Sequence, residues 1–170
     1  MAGRRELLID AFNVMFAHPR LGPLLRRDLQ AARQEFLVLV NQNRPADATR
    51  VYVVFDAHRD PGPPGEANSQ YSGSVHVVFA RETADTWIQR RVRAHPEPQQ
   101  LTVVTSDREI LDTVKAYGAR HLRVSEFLRL PARRRAARQR QAGADDKPAS
   151  SSRREIEDLE KLFEERGEED

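Results

Sequence analysis

The sequence predicts an α/β fold, with a central, mostly parallel sheet covered on both faces by helices. Three features lead there. The apolar runs ELLIDAF (6–12), RVYVVF (50–55), SVHVVFA (74–80) and LTVVT (101–105) are continuous rather than alternating, the mark of strands buried on both faces. Stretches with helical periodicity separate them. A carboxylate ends or follows each strand: Asp10, Asp56, Glu82 with Asp85, and Asp107.

The first strand is read at 6–12. A helix then opens at Gly22 and Pro23, carries Leu25, Leu29, Ala32, Phe36, Leu39 and Val40 on one face, and closes at Asn43 and Pro45. The second strand is β-branched and aromatic and ends at Asp56. Residues 57–73, AHRDPGPPGEANSQYSG, are rich in Pro, Gly and polar side chains and read as one long loop. The third strand leads to a helix over 84–94 with Trp87, Ile88, Arg91 and Val92, stopped by Pro96 and Pro98. The fourth leads to a helix over 107–117 with Ile110, Leu111, Val114 and Tyr117 on its apolar side. Gly118 suits the left-handed residue that ends it. A short fifth strand at 120–124 precedes a final turn, capped by Ser125, that reaches about Leu130.

The expected organisation is a globular domain at 1–130 and a charged tail at 131–170. Residues 1–128 carry 17 Lys/Arg against 15 Asp/Glu, residues 129–154 carry 9 against 2, and residues 155–170 carry 2 against 9. The tail is thus a basic block followed by an acidic one, with too few large apolar residues before 153 to build a core. The basic block suits either phosphates or its own acidic end. Ser152 and Glu155 fit a capping box, and Ile156, Leu159, Leu162 and Phe163 give an amphipathic helix over 153–166. It needs a surface to dock on.

Cysteine is absent, which excludes disulfides, thiolate metal sites and cysteine nucleophiles. The basic N-terminus lacks a signal-peptide apolar run, and no run approaches a membrane span. The expectation is a cytoplasmic protein with no membrane partner. No GxGxxG or GxxxxGK[ST] motif is present, which argues against dinucleotide and P-loop chemistry.

Parallel sheets bind ligands at the C-terminal ends of their strands, so Asp10, Asp56, Asp85 and Asp107 are expected along one edge. A helix starting near Glu82 would put Glu82 and Asp85 on one face, with Gln89 one turn further. Each acid alone is readable as a helix cap or a turn. Together they repel, by about 4 kcal/mol for a pair 4 Å apart at an effective dielectric near 20, and call for a cation. The five histidines show no HxH or HxxxH spacing. Oxygen ligands then favour Mg²⁺ or Mn²⁺, and the chemistry is phosphodiester cleavage by an activated water. Asn13 and Ser106 are read either as groups that orient the acids or as local turn bonds.

The stretches LLIDAFNVM, VYVVFDAHRDPG, YSGSVHVVFARETADTWIQR and LTVVTSDREI, in this order and spacing, resemble the YacP-like NYN domains of the PIN-like metal-dependent ribonucleases. The resemblance covers about residues 5–130 and leaves the tail outside. It implies a PIN-like three-layer α/β/α sandwich and Mg²⁺- or Mn²⁺-dependent cleavage of single-stranded RNA, with mRNA on translating ribosomes as the family's substrate. It also implies catalytic roles for Asp10, Asp56, Asp85, Asp107, Asn13 and Ser106, with Glu82 among the metal ligands. Gln89 stands where the family commonly has Glu, which removes one charge. His58, Arg59 and Tyr71 border the long loop and are read as RNA contacts or as loop anchors. Arg90, Arg91 and Arg93 form either a phosphate surface or a solvated helix face.

Two rivals remain. A receiver-type phosphorylation domain would use Asp56 and Thr105, but RHLRV at 120–124 lacks its lysine and ETAD would be idle. A non-catalytic RNA- or ribosome-binding module of the same fold is the stronger alternative. The sequence sets no oligomeric state.

Overall fold

The central strand, β1 (Arg5–Asp10), is followed at once by a short helix, α1 (Ala11–Ala17), with Asp10 at the junction. The computed structural model of the chain describes residues 3–62, 68–72 and 75–130. After α1 come α2 (Leu21–Arg27), α3 (Leu29–Asn43), β2 (Ala48–Asp56), β3 (Asn68–Ser72), β4 (Val75–Ala80) and α4 (Ala84–Ala94). The last elements are β5 (Leu101–Val104), α5 (Arg108–Tyr117), β6 (Arg120–Leu122) and α6 over 124–130. All belong to one compact unit, Met1–Arg134. The tail expectations, including the helix at 153–166, lie outside the described residues. No helix among the described residues is long and apolar enough to cross a membrane.

The sheet order is β3-β4-β2-β1-β5-β6. β1 pairs in parallel with β2 and β5, β2 with β4, and β5 with β6, while β3 runs antiparallel on the β4 edge. Side chains alternate between the two faces of each strand. Leu7, Ile9, Val53, Phe55, Val77 and Val104 pack with Phe12, Phe36, Val40 and Phe127 on one face. Leu8, Val54, Val78 and Val103 pack with Ile88, Val92, Ile110 and Val114 on the other. Helices α1–α3 and α6 therefore cover one face and α4 and α5 the other, giving three layers.

Several expectations are corrected here. The segment at 6–12 is not strand throughout, because the chain turns into α1 right after Asp10. The helix expected from Gly22 to Asn43 is two helices, interrupted at Asp28, whose carboxylate accepts the Ala31 N–H at 2.9 Å and caps α3. His18 closes the preceding turn, its Nδ1 accepting the N–H groups of Arg20 and Leu21. The loop expected at 57–73 contains β3. Tyr117 is 45% exposed rather than part of the apolar side of α5. Ser125 does not cap the last helix, since α6 starts at 124 and Glu126 reaches back to the Arg123 N–H at 3.0 Å. Gly118 ends α5 in the left-handed conformation, at φ 74°.

The loop after β2 is anchored by an acid that the sequence pattern did not single out. Asp60 is buried and receives Arg33 of α3 through both oxygens, at 2.5 and 2.6 Å, and the Gly62 N–H at 3.0 Å. Gly62 has φ 74°, and a Cβ there would stand 2.7 Å from the Phe79 ring, so glycine is required. Removing one partner of a buried pair leaves an uncompensated charge. Asp60→Ala should therefore lower the unfolding free energy by about 3 kcal/mol or more, read by urea denaturation. A change within about 0.5 kcal/mol would show the pair to be dispensable.

Candidate active site

Going from β4 to β5 the chain crosses over β1, so the direction of the sheet order reverses between β1 and β5. Such a reversal opens a crevice at the C-terminal strand ends. A cleft of about 250 Å³ lies there, lined by Asp10, Phe12, Asn13, Phe16, Asp56, Arg59, Thr83, Ala84, Asp85 and Asp107. The four expected aspartates thus meet around one opening: Asp10 and Asp56 end β1 and β2, Asp85 lies in the first turn of α4 after β4, and Asp107 follows β5.

Each is held differently. Asp10 is 6% exposed and accepts the Thr105 hydroxyl at 3.1 Å. Thr105, fully buried, accepts in turn the Asp107 N–H at 3.1 Å, and its carbonyl oxygen lies 2.8 Å from His121 Nε2. Thr105 is therefore a positioning residue for Asp10. Asp56 Oδ1 accepts the His58 N–H at 2.9 Å. Asp107 does cap α5, with Oδ1 accepting from Glu109 and Ile110 at 2.9 and 3.3 Å. The cap engages one carboxylate oxygen, so capping and lining the cleft are compatible. Asp85 sits in the first turn of α4, where Thr83 rather than an acid is the cap.

The carboxylates disturb one another. Burial pushes Asp10 up from 3.8 to about 6, with Asp85 and Asp107 adding repulsion, against the Thr105 hydroxyl and the Asn13 N–H, which lower it. Asp85 is also raised, by burial first and then by Asp107, Glu109 and Asp56, with Arg59 lowering it. Arg59 is the one cation among the described residues that line the cleft. Among the described residues no three acidic or histidine side chains form a ready-made metal cluster.

The other expected residues divide. Asn13 lines the cleft, and its Oδ1 accepts both the N–H and the hydroxyl of Ser106, at 3.0 and 2.7 Å. Those bonds fasten the start of α1 to the β5–α5 turn. Ser106 and Glu82 are not among the lining residues. Glu82 precedes α4 rather than sharing its face with Asp85, and it pairs with Arg90. Gln89 accepts from Arg93 at 3.2 Å. Arg59 reaches the cleft, while His58 is exposed and serves Asp56 through its backbone. Tyr71 falls on β3, and its side chain lies outside what is described. The sequence did not single out Phe16, and it named Thr105 only for a receiver-type site. An aromatic one turn beyond Phe12 was the available signal for Phe16; nothing local marks Thr105 as a partner of Asp10.

A larger cavity of about 410 Å³ lies at the opposite strand ends, lined by Arg4, Glu6, Arg91, His95 and their neighbours. Its buried acid, Glu6, is already met by Arg91 at 2.9 Å and faces His95 Nε2 at 3.5 Å. Arg91 also lies over the Tyr52 ring, 5.0 Å from its centroid. With Arg90, Arg91 and Arg93 each engaged by a neighbour, this helix holds no unanswered cluster of cations. The unbalanced charge sits in the acidic cleft.

The raised Asp10 makes a prediction with a definite sign. The folded state holds its proton more tightly than the unfolded chain, so this group's contribution to stability is greatest below pH 3.8. It is lost as pH rises through about 6. Asp10→Asn should therefore be more stable than the parent at pH 7.5, by about 1–3 kcal/mol. The gain should shrink towards zero near pH 4, measured by thermal or urea unfolding across pH. A destabilised Asp10→Asn at pH 7.5 would contradict this.

Comparison with known proteins places the chain. The YacP-like NYN domain matches residues 7–166, so the match runs on through the tail, which the motifs had left outside. The chain is 31% identical over 126 residues to the uncharacterised protein YacP of Bacillus subtilis, 72% of each chain being covered. The crystal structure of Rae1 (YacP) from Bacillus subtilis superimposes with a TM-score of 0.70 at 28% identity, covering 95% of this chain and 94% of that one. A point mutant of that protein gives 0.63 at 26%, covering 83% and 85%. The fold is accordingly the PIN-like, nuclease-type sandwich, and the chain belongs to the YacP-like NYN domain family.

Proposed function

We propose that this chain is a Mg²⁺- or Mn²⁺-dependent endoribonuclease that cuts single-stranded RNA, with mRNA on the ribosome as its substrate and the cytoplasm as its place of action. The observation that carries this reading is the meeting of Asp10, Asp56, Asp85 and Asp107 around one cleft, with Arg59 the one cation among the described lining residues. Burial first, and repulsion second, raise Asp10 to about 6 and raise Asp85, as expected where carboxylates are gathered away from water. These residues fit a hard divalent ion of the Mg²⁺ type. Such an ion keeps several waters and needs only one or two direct carboxylates, so no tight three-residue cluster is required. Bound there, it would supply an activated water and charge relief at the leaving oxygen.

The chain's own groups have separable roles. Asp10, Asp56, Asp85 and Asp107 hold the ion directly or through its waters. Thr105 aims Asp10, and Asn13 with Ser106 fixes the spacing between the ends of β1 and β5. Arg59 meets a phosphate of the RNA. Glu82, paired with Arg90 and outside the lining residues, is given no role in this reading. Residues 1–128 carry 17 basic against 15 acidic residues, a poor grip on naked RNA, which is why presentation by the ribosome suits this chain. The alternative is a non-catalytic RNA- or ribosome-binding module. Gln89 in place of a common Glu and the absence of a tight acidic triad among the described residues favour it.

The test is cleavage of end-labelled single-stranded RNA in Mn²⁺, alone and with translating ribosomes. Asp107→Asn is the informative variant, because Asn caps a helix as well as Asp and only the charge is lost. Discrete cleavage that falls by about 100-fold or more in Asp107→Asn, and disappears with EDTA, is expected. RNA bound but uncut under every condition would favour the binding module.

A further inference from the structure

Two aromatic rings, Phe12 and Phe16, line the cleft together with the acids. Phe16 lines the cleft and is 51% exposed. It sits one helical turn beyond Phe12, the ring centroids 6.1 Å apart and tilted by 34°. Phe12 is 8% exposed and meets the core ring of Phe55 edge-on at 5.9 Å. Phe16 is therefore carried on a ring fixed in the core. The Arg59 guanidinium lies 5.7 Å from the centroids of both Phe12 and Phe16. A scattered surface phenylalanine needs no explanation. This one lines the same cleft as four carboxylates, beside Arg59, the one cation among the described lining residues.

We infer that Phe16, supported by Phe12 and Arg59, is a stacking shelf for one unpaired base of the RNA, adjacent to the phosphodiester at the acidic wall. The inference rests on the nuclease reading of the cleft and adds how substrate is held there. A flat, π-faced group joined to a phosphate suits an aromatic face beside a guanidinium. The shelf is indifferent to base identity, because every base offers a π-face. It selects against duplex, whose bases are already stacked and paired.

The test is binding of the full chain to a fluorescent 12-nucleotide single-stranded RNA at low ionic strength, where a weak grip is still measurable, in EDTA so that nothing is cut, with parallel photo-cross-linking of 5-iodouridine RNA. Phe16→Ala should weaken binding about tenfold, as expected for loss of one stacked base. Phe16→Trp should restore it, Phe16→Leu should not, and the cross-link should map to Phe16. Since Phe16 is half exposed, thermal unfolding should change little in any of the three. Equal binding by Phe16→Ala, full rescue by Phe16→Leu, or no RNA binding by the parent chain would overturn the shelf. The nuclease reading fails separately: Phe16-dependent binding with no cleavage, in any metal or with ribosomes, would sink it and leave the shelf standing.

Discussion

Parallel strands must all finish on the same edge, and every feature of this molecule's site follows from that constraint. With β2 and β5 on either side of β1, any carboxylate placed at a strand end is brought towards the others whether or not that is favourable. Here it is unfavourable: Asp10, buried among like charges, is held near 6. The sheet supplies the energy to keep it there. Leu7, Leu8 and Ile9 immediately before it are almost fully buried, each contributing about 1.5–3 kcal/mol, so the strand cannot retreat to let the acid into water.

The local bonding then fixes this unfavourable arrangement in place. The Thr105 hydroxyl reaches Asp10, the Asp107 N–H reaches Thr105, and Ser106 reaches Asn13. The Thr105–Asp10 and Ser106–Asn13 contacts tie the end of β1 and the start of α1 to the turn between β5 and α5, and the Asp107–Thr105 bond braces that turn. These segments are about 95 residues apart in the chain and adjacent only because of the crossover. Acids so fixed cannot relax away from one another, which is the condition for binding a counter-ion without reorganisation. Stability forgone at such a site is commonly the mark of function.

Much of this was legible in the sequence, for identifiable reasons. Continuous apolar runs announced strands buried on both faces, and Asp10, Asp56, Asp85 and Asp107 followed them directly, so topology alone carried them together. What failed were readings that needed contacts rather than order. Glu82 looked like a partner of Asp85 by spacing, but the helix begins two residues later at Ala84 and Glu82 turns to Arg90. Residues 57–73 looked like a loop because Pro and Gly dominate their first half, and that masked β3 at their end. Asp60 resembled one more loop acid. Only the fold shows Arg33 arriving from α3 to bury it. The bond from Thr105 to Asp10 carried no local signal, since its partner sits at the end of the chain's first strand.

The most direct measurement is the titration of the Asp10 carboxyl by carbon-13 NMR, in the absence and presence of Mg²⁺. The account predicts a midpoint near 6 without the ion, and a clear fall when Mg²⁺ supplies the missing counter-charge. A midpoint near the ordinary carboxylate value of about 4, unchanged by Mg²⁺, would contradict it. The four acids would then be separate helix caps and turn residues that happen to share an edge.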